Sequence, residues 1–316
     1  MSNRYFVSCT NDQLWKIDEF LTFLKENQGQ SIRLDINPEA ISLKEIGFYK
    51  ILDLFEFELV TIVTCNPFEA HDKYTIIHEE AHIFLTEEVV VDPSLHQWTQ
   101  DKIFLTMYHR PTASRLGLAG HLFANHKDIS HIHFSAGNSV DELEFYEMTK
   151  LLNYDLTATI NASKMIPNMP LEIASSQYYS KFGWMSNFDN DLRQYYQQIL
   201  IDIIGETHVL GNTFFPTEKT TRPMWLKKPF IVFASRNYLD YLHQMGFKTF
   251  NDFWSEEYDG YEGSERFIKT LQLIDNLANK SLTELAEMYY NMQHILDHNY
   301  NLLLTQSYST NITYIS

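Results

Sequence analysis

The stretch IIHEEAHIFL, residues 76–85, holds His78, Glu79 and His82 in His-Glu-x-x-His spacing. On a helix, residues i and i+4 share a face, so both imidazoles would take one zinc ion and Glu79 would polarise the metal-bound water. That chemistry is hydrolysis. It needs a helix under the motif and a third ligand downstream, for which Glu87, Glu88 and Asp92 are candidates. The flanks argue against the helix. YTII precedes the motif and HIFLTEEVVV follows it, and β-branched and aromatic residues at this density favour strands. With 13 His and 41 Asp plus Glu in 316 residues, a chance match is easily met. The expectation is an acidic turn or short helix between two strands and no metal site, with a zinc-dependent hydrolase as the alternative.

A second group of chemically capable residues lies in ETHVLGNTFFPTEKTTRPMWLKKPFIVFAS, residues 206–235. It reads as strand end, loop, short helix, buried strand. Thr217, Glu218 and Lys219 fall where such a helix begins and its N–H groups point outward. A lysine there pairs with a diphosphate, and a glutamate accepts from ribose hydroxyls. The same residues also read as an N-cap, a first-turn carboxylate favoured by the helix dipole, and a surface charge. Pro223 marks the first turn or a kink. Glu206 closes the preceding strand and either lines the same place or is a solvated strand end. In the first half, Arg110 follows the strand-like DKIFLTMY, where a guanidinium forks onto a phosphate or carboxylate, or forms a surface ion pair. Asp35 ends another strand-like run, SIRLDI.

The elements that must position these groups alternate along the chain. Strand-like runs occur at 4–9, 31–36, 57–65, 101–108 and 129–135. Helical spacing occurs at 11–27, at 42–55 with Ser42 as cap, at 112–126 and at 141–152. Residues 153–190, polar and containing Pro167 and Pro170, read as a connection. The alternation then resumes, with strands at 199–204 and 229–235, a helix at 237–246 and long amphipathic helices to the end. The aromatic WSEEYDGYEG reads as a loop, and Tyr289, Tyr290 and Met292 as helix core. Strands separated by helices imply parallel sheets covered on both faces. The expected fold is α/β, with two Rossmann-like domains facing a cleft: 1–155 and 156–316, the last helix packing back on the first domain.

FFPTEKTTRPMWLKKPFIVFASRNYLDYLHQMGFKTFNDFWSEEYD resembles a block of uncharacterised viral and bacterial proteins with a TEKT…PFI…GF-x-TF pattern. That block is similar to the nucleotide-sugar-binding half of GT-B glycosyltransferases, including fucosyltransferase-like and exostosin-like families. The resemblance implies that Glu218 and Lys219 contact the donor's ribose and phosphates, with Thr217, Glu206 and Arg222 beside them; Arg222 stands where the block often has Lys. Ala234 and Ser235 replace its usual Gly. DKIFLTMYHRPTASRLGLAGHLFANH resembles a second segment of the same group and maps Arg110 and Arg115 onto two basic positions, while His109 replaces an Asn or Arg. An inverting sugar transferase needs a base for the acceptor hydroxyl; Asp35 is the candidate taken forward, with Asp101 and Glu142 as others. The implied activity moves a sugar from a nucleotide-sugar to an unknown acceptor, with no obligatory metal or other cofactor. A non-catalytic nucleotide-binding or assembly protein is the further alternative.

Composition narrows the partners. A net charge of −17 repels phosphate backbones and anionic membranes, which disfavours non-specific nucleic-acid binding. No apolar run approaches the roughly 20 residues of a membrane span. The first residues, MSNRYFVSCTNDQLW, carry no signal-peptide core, and Cys9 and Cys65 alone make no disulfide framework. A cytoplasmic setting is expected.

Overall fold

The computed structural model describes residues 3–10, 13–14, 16–36, 40–79, 96–135, 140–171, 173 and 195–313. The chain forms two compact α/β units. Unit 1 is Met1–Ile83 with two returning segments, Thr207–Phe215 and Ala234–Tyr238; unit 2 is Phe84–Glu206, Pro216–Phe233 and Leu239–Ser316. The expected boundary at 155/156 is thereby displaced. It falls inside unit 2, because strands on either side of it belong to one sheet.

Unit 1 holds β1 (Asn3–Val7), α1 (Ile17–Glu26), β4 (Ser31–Ile36), α2 (Phe48–Leu52), β5 (Leu59–Thr64) and β6 (Thr75–His78). A two-residue ribbon, β2 (Cys9–Thr10) with β3 (Gln13–Leu14), precedes α1, so the helix read from residue 11 begins only at Ile17. The four long strands pair in parallel in the order β1-β4-β5-β6. Alternation within each strand sorts its side chains. Ile32, Leu34, Val60 and Ile62 meet Phe20 and Leu24 of α1 and Phe48 and Leu52 of α2. The opposite face carries Arg4, Phe6, Arg33 and Asp35, and there Phe6 is 60% exposed, so coverage on both faces is not what these residues have. The helix read over 42–55 is reduced to α2 because Gly47 turns the chain at φ +71. Ser42 does not cap it; its start is at Gly47.

Unit 2 contains β7 (Phe104–Tyr108), α3 (Ala113–Asn125), β8 (Ser130–Phe134), α4 (Val140–Tyr154), α5 (Leu156–Met165), β9 (Ile201–Gly205), α6 (Glu218–Trp225) and β10 (Phe230–Phe233). Four helices follow: α7 (Tyr238–Gln244), α8 (Gly263–Ala278), α9 (Leu282–Asn291) and α10 (Gln293–Thr313). The sheet is parallel in the order β10-β9-β7-β8. Every residue of β7, β9 and β10 is buried, as a parallel sheet packed on both faces requires. Residues 156–165, read as part of a connection, form α5, capped by Asp155 through a 2.6 Å bond from Ala158 N–H. It lies directly on α3: a Cβ at Gly120 would stand 2.6 Å from the Ala162 backbone nitrogen. The last helix, α10, packs on α6 and belongs to unit 2. Met292 is fully buried as read, whereas Tyr290 is 79% exposed. Among the described residues no helix is long and apolar enough to cross a membrane.

Candidate functional site

β7 and β9 are the central pair of the unit 2 sheet. The chain leaves β7 through α3 toward β8 and leaves β9 through α6 toward β10, in opposite directions. In a doubly wound sheet this is the switch point, and ligands bind outside the carboxyl ends of these two strands. Right-handed crossovers running in opposite directions place α3 and α6 on opposite faces. The parity of β9 agrees: Gly205 lies against Arg115 of α3, while Asp202, three residues earlier, meets Arg222 of α6.

Arg115 joins the two strand ends. Its Nε donates to the Gly205 carbonyl at 2.9 Å and its Nη1 to the Arg110 carbonyl at 3.3 Å. Only a glycine lets the side chain cross there, since a Cβ at Gly205 would sit 2.9 Å from Arg115 Cγ. Burial holds the guanidinium below its ordinary pKa, while Glu206 and Glu218 pull it back up and Arg110 adds to the lowering. The charges singled out in both halves of the sequence therefore converge on this group. Arg110 itself is exposed at the end of β7. Beside it His109 Nδ1 lies 2.9 Å from Ser135 Oγ.

The turn into α6 is built on Glu206. Its Oε1 accepts from the Thr217 backbone N–H at 3.1 Å and from the Thr220 hydroxyl at 2.6 Å, and its Oε2 from the Thr217 hydroxyl at 2.7 Å. Thr217 is the N-cap, accepting from Lys219 N–H. Lys219 Nζ bridges the Thr217 hydroxyl, 3.1 Å away, and Glu218 Oε1, 2.8 Å away. Burial pushes the Glu218 carboxyl up, but Lys219 and Arg222 more than offset it, leaving it below the usual range and ionised at neutral pH. At α3 another internal carboxylate plays a similar part: Glu147 Oε2 accepts from Ala113 N–H at 2.7 Å.

Three of the expected residues are placed elsewhere. Arg222 is buried within the sheet packing, with Nε on the Tyr196 hydroxyl and Nη2 3.7 Å from Asp202. Tyr196 in turn donates to Asp202 at 2.5 Å, and burial holds that carboxyl above its ordinary range. Neither Tyr196 nor Asp202 carries a local sequence signal for this role. Asp35 lies in unit 1, clamped by Arg4 at 2.5 Å and Arg33 at 2.8 Å. Burial pushes its pKa up and the two arginines outweigh that, so it is lowered, the wrong direction for a base. Asp101 precedes β7, at the amino end of the strand, and accepts from Thr99. The side chain of Glu142 lies outside the described residues.

His78 is the last residue of β6, paired with Thr64 of β5, and its Nε2 donates to the Glu69 carbonyl at 2.8 Å. The start of the His-Glu-x-x-His motif is thus a strand, which removes the helical geometry that the zinc hydrolase reading needs. His82 lies outside the described residues.

No family model matches the chain, and no curated protein matches it. Among solved structures, a glycosyltransferase from Rickettsia africae ESF-5 is similar with a TM-score of 0.35 at 12% identity, over 95% of this chain and 79% of that chain.

Proposed function

We propose that the chain is a nucleotide-sugar-dependent glycosyltransferase of GT-B-like organisation, with unit 2 as the donor half and unit 1 as the acceptor half. The observation that carries this is the placement of Arg110 and the Glu218–Lys219 pair after the two central strands of a doubly wound sheet. The TEKT block resemblance assigns the same pair to a donor's ribose and phosphates. The amides at the start of α6 are engaged by Glu206 and Thr217, so the diphosphate contact falls on the Lys219 ammonium and the Arg110 guanidinium. These cations would stabilise the negative charge of the leaving nucleoside diphosphate. The ionised Glu218 would accept from the ribose hydroxyls.

One observation favours a second reading, a nucleotide-binding protein without transferase chemistry. The candidate base Asp35 is held between two arginines. Calorimetry with uridine, guanosine and cytidine diphosphates tests the shared binding step. A charge-assisted contact contributes roughly 1.5–3 kcal/mol, so Lys219→Ala is expected to weaken binding about 10- to 100-fold. Glu218→Gln is expected to weaken a nucleoside diphosphate more than inorganic pyrophosphate, which has no ribose. Absence of binding to wild type at millimolar ligand rejects both readings, and equal binding by both variants moves the site elsewhere. Nucleotide release from nucleotide-sugars then separates transferase from binder.

A further inference from the structure

At the far end of α3 from this site, His121 and the C-capping residue His126 point at one atom. The Nε2 of His121 lies 2.7 Å and that of His126 2.6 Å from Oδ1 of Asp275 on α8. The three ligand-capable atoms lie within 4.8 Å of one another. Behind His121, its Nδ1 is 3.1 Å from the Asn125 side-chain amide. The two rings are largely enclosed, at 8% and 14% side-chain exposure, whereas Asp275 at 42% opens the group to solvent.

We propose that His121, His126 and Asp275 form a binding site for one divalent d-block cation of the zinc type, which would clamp α8 to α3. Two imidazoles and one carboxylate form a donor set that suits Zn²⁺, and Co²⁺ or Ni²⁺ by the same chemistry, rather than Mg²⁺ or Ca²⁺. A three-ligand set with a solvent-facing carboxylate leaves the fourth tetrahedral position to water. Metal–ligand bonds of about 2.0–2.1 Å set neighbouring ligand atoms roughly 3.3 Å apart. Each imidazole would open from Asp275 Oδ1 by a fraction of an ångström, from 2.7 and 2.6 Å, and the separation of the two Nε2 atoms, at most 4.8 Å, would settle at the same spacing. On binding, each ring shifts its single proton from Nε2 to Nδ1 by exchange with solvent, with no net release, and presents the Nε2 lone pair to the metal. His121 then donates its Nδ1–H to the Asn125 side-chain carbonyl oxygen once that amide turns over, an outer hydrogen bond that would fix the ring's tautomer and orientation. The acidic chain, at −17 overall, favours cations in its vicinity. The site is distinct from His78-Glu79-His82.

The test uses the full chain, free of any polyhistidine tag and stripped with chelator, titrated with Co²⁺ by visible absorption and with Zn²⁺ by calorimetry. Wild type is expected to take up one equivalent, with the intense d–d bands of a low-coordinate site, and Zn²⁺ is expected to raise its thermal midpoint. His126→Ala and Asp275→Asn are expected to weaken binding at least 10-fold, and Asn125→Ala about 10-fold, each with an unchanged circular dichroism spectrum. His78→Ala is expected to bind as wild type. Absence of uptake by wild type overturns the proposal, as does wild-type binding by both His126→Ala and Asp275→Asn. Loss of binding in His78→Ala overturns it too. If His126→Ala fails to fold, the exposed Asp275→Asn and the Asn125→Ala variants decide by the same readings.

Discussion

The Glu206 carboxylate holds Thr217 at both of its donors, taking the backbone N–H at 3.1 Å on one oxygen and the hydroxyl at 2.7 Å on the other. Eleven residues separate the two, and the intervening loop is counted with the other unit. The contact therefore fixes where the chain re-enters unit 2 and where α6 begins. It also supplies the negative charge that a helix N-terminus favours, from inside the protein. Lys219 reads this arrangement through the Thr217 hydroxyl, which it contacts while that hydroxyl donates to Glu206.

Glu206→Gln replaces a charged acceptor of three hydrogen bonds with a neutral group that can accept on one atom only. Charge-assisted bonds are about twice as strong as neutral ones, so the variant is expected to lose about 1–2 kcal/mol in urea denaturation. Thr217→Ala removes the cap and is expected to cost a similar amount. Wild-type stability in both would mean that the Glu206–Thr217 contact does not hold the helix start.

Gly120→Ala tests the α3–α5 contact. The new methyl carbon would stand 2.6 Å from the Ala162 nitrogen and 2.7 Å from its Cα, both backbone atoms that no rotamer change can move. The helix gains propensity from Ala, by about 1 kcal/mol, but the overlap forces the helices apart. The expected net result is a destabilisation of roughly 1–3 kcal/mol, read as a lower urea midpoint. A midpoint at or above wild type would show that α5 does not sit this close.

Asp35 predicts an acid limb. Its folded pKa is lowered, because Arg33 and Arg4 outweigh burial. The pair therefore contributes stability above the unfolded pKa near 3.9, and that contribution is lost as pH falls through the folded value. Arg4 is 68% exposed, so solvent screening limits the contribution to about 1 kcal/mol or less. Asp35→Asn is expected to flatten the loss of stability between about pH 5 and pH 2. An unaltered acid limb in the variant would argue against the clamp.

Lys228 predicts the opposite limb. It is fully buried, with Nζ donating to the Gln97 carbonyl at 2.7 Å and lying over the Tyr289 ring, and burial lowers its pKa to about 7. Between that value and about 10.4 the unfolded chain binds the proton that the folded chain has released, so stability rises with pH by up to about 1.4 kcal/mol per unit. Lys228→Met is expected to remove this rise between pH 7 and 9, measured by urea midpoints. A rise of equal slope in the variant would place its origin in another group.

Local pattern was enough to find most elements. SIRLDI is β4 residue for residue, and the helix read over 112–126 is α3 with one residue trimmed at each end. These segments succeed because side-chain periodicity reports on neighbours within one turn or one pleat. It also placed Arg110, Glu218 and Lys219 at element ends, because turn and cap chemistry is equally local. Where the pattern misled, a single residue or a partner outside the window decided. Gly47 cut short the helix read over 42–55, and the pairing of Gln13–Leu14 with Cys9–Thr10 delayed α1.

What only tertiary structure decided is which distant groups share a place. The order β10-β9-β7-β8 joins strands from either side of residue 155, and hydrophobic patterning of each strand is the same whichever neighbour it takes. The resemblance implies that Arg222 is a site cation, yet Asp202, twenty positions earlier, draws it into the packing beside β9. His121 and Asp275 lie 154 residues apart, with no motif to connect them. Their meeting follows from α8 packing on α3, and such packing depends on the shapes of whole helix faces, which no short window of sequence contains.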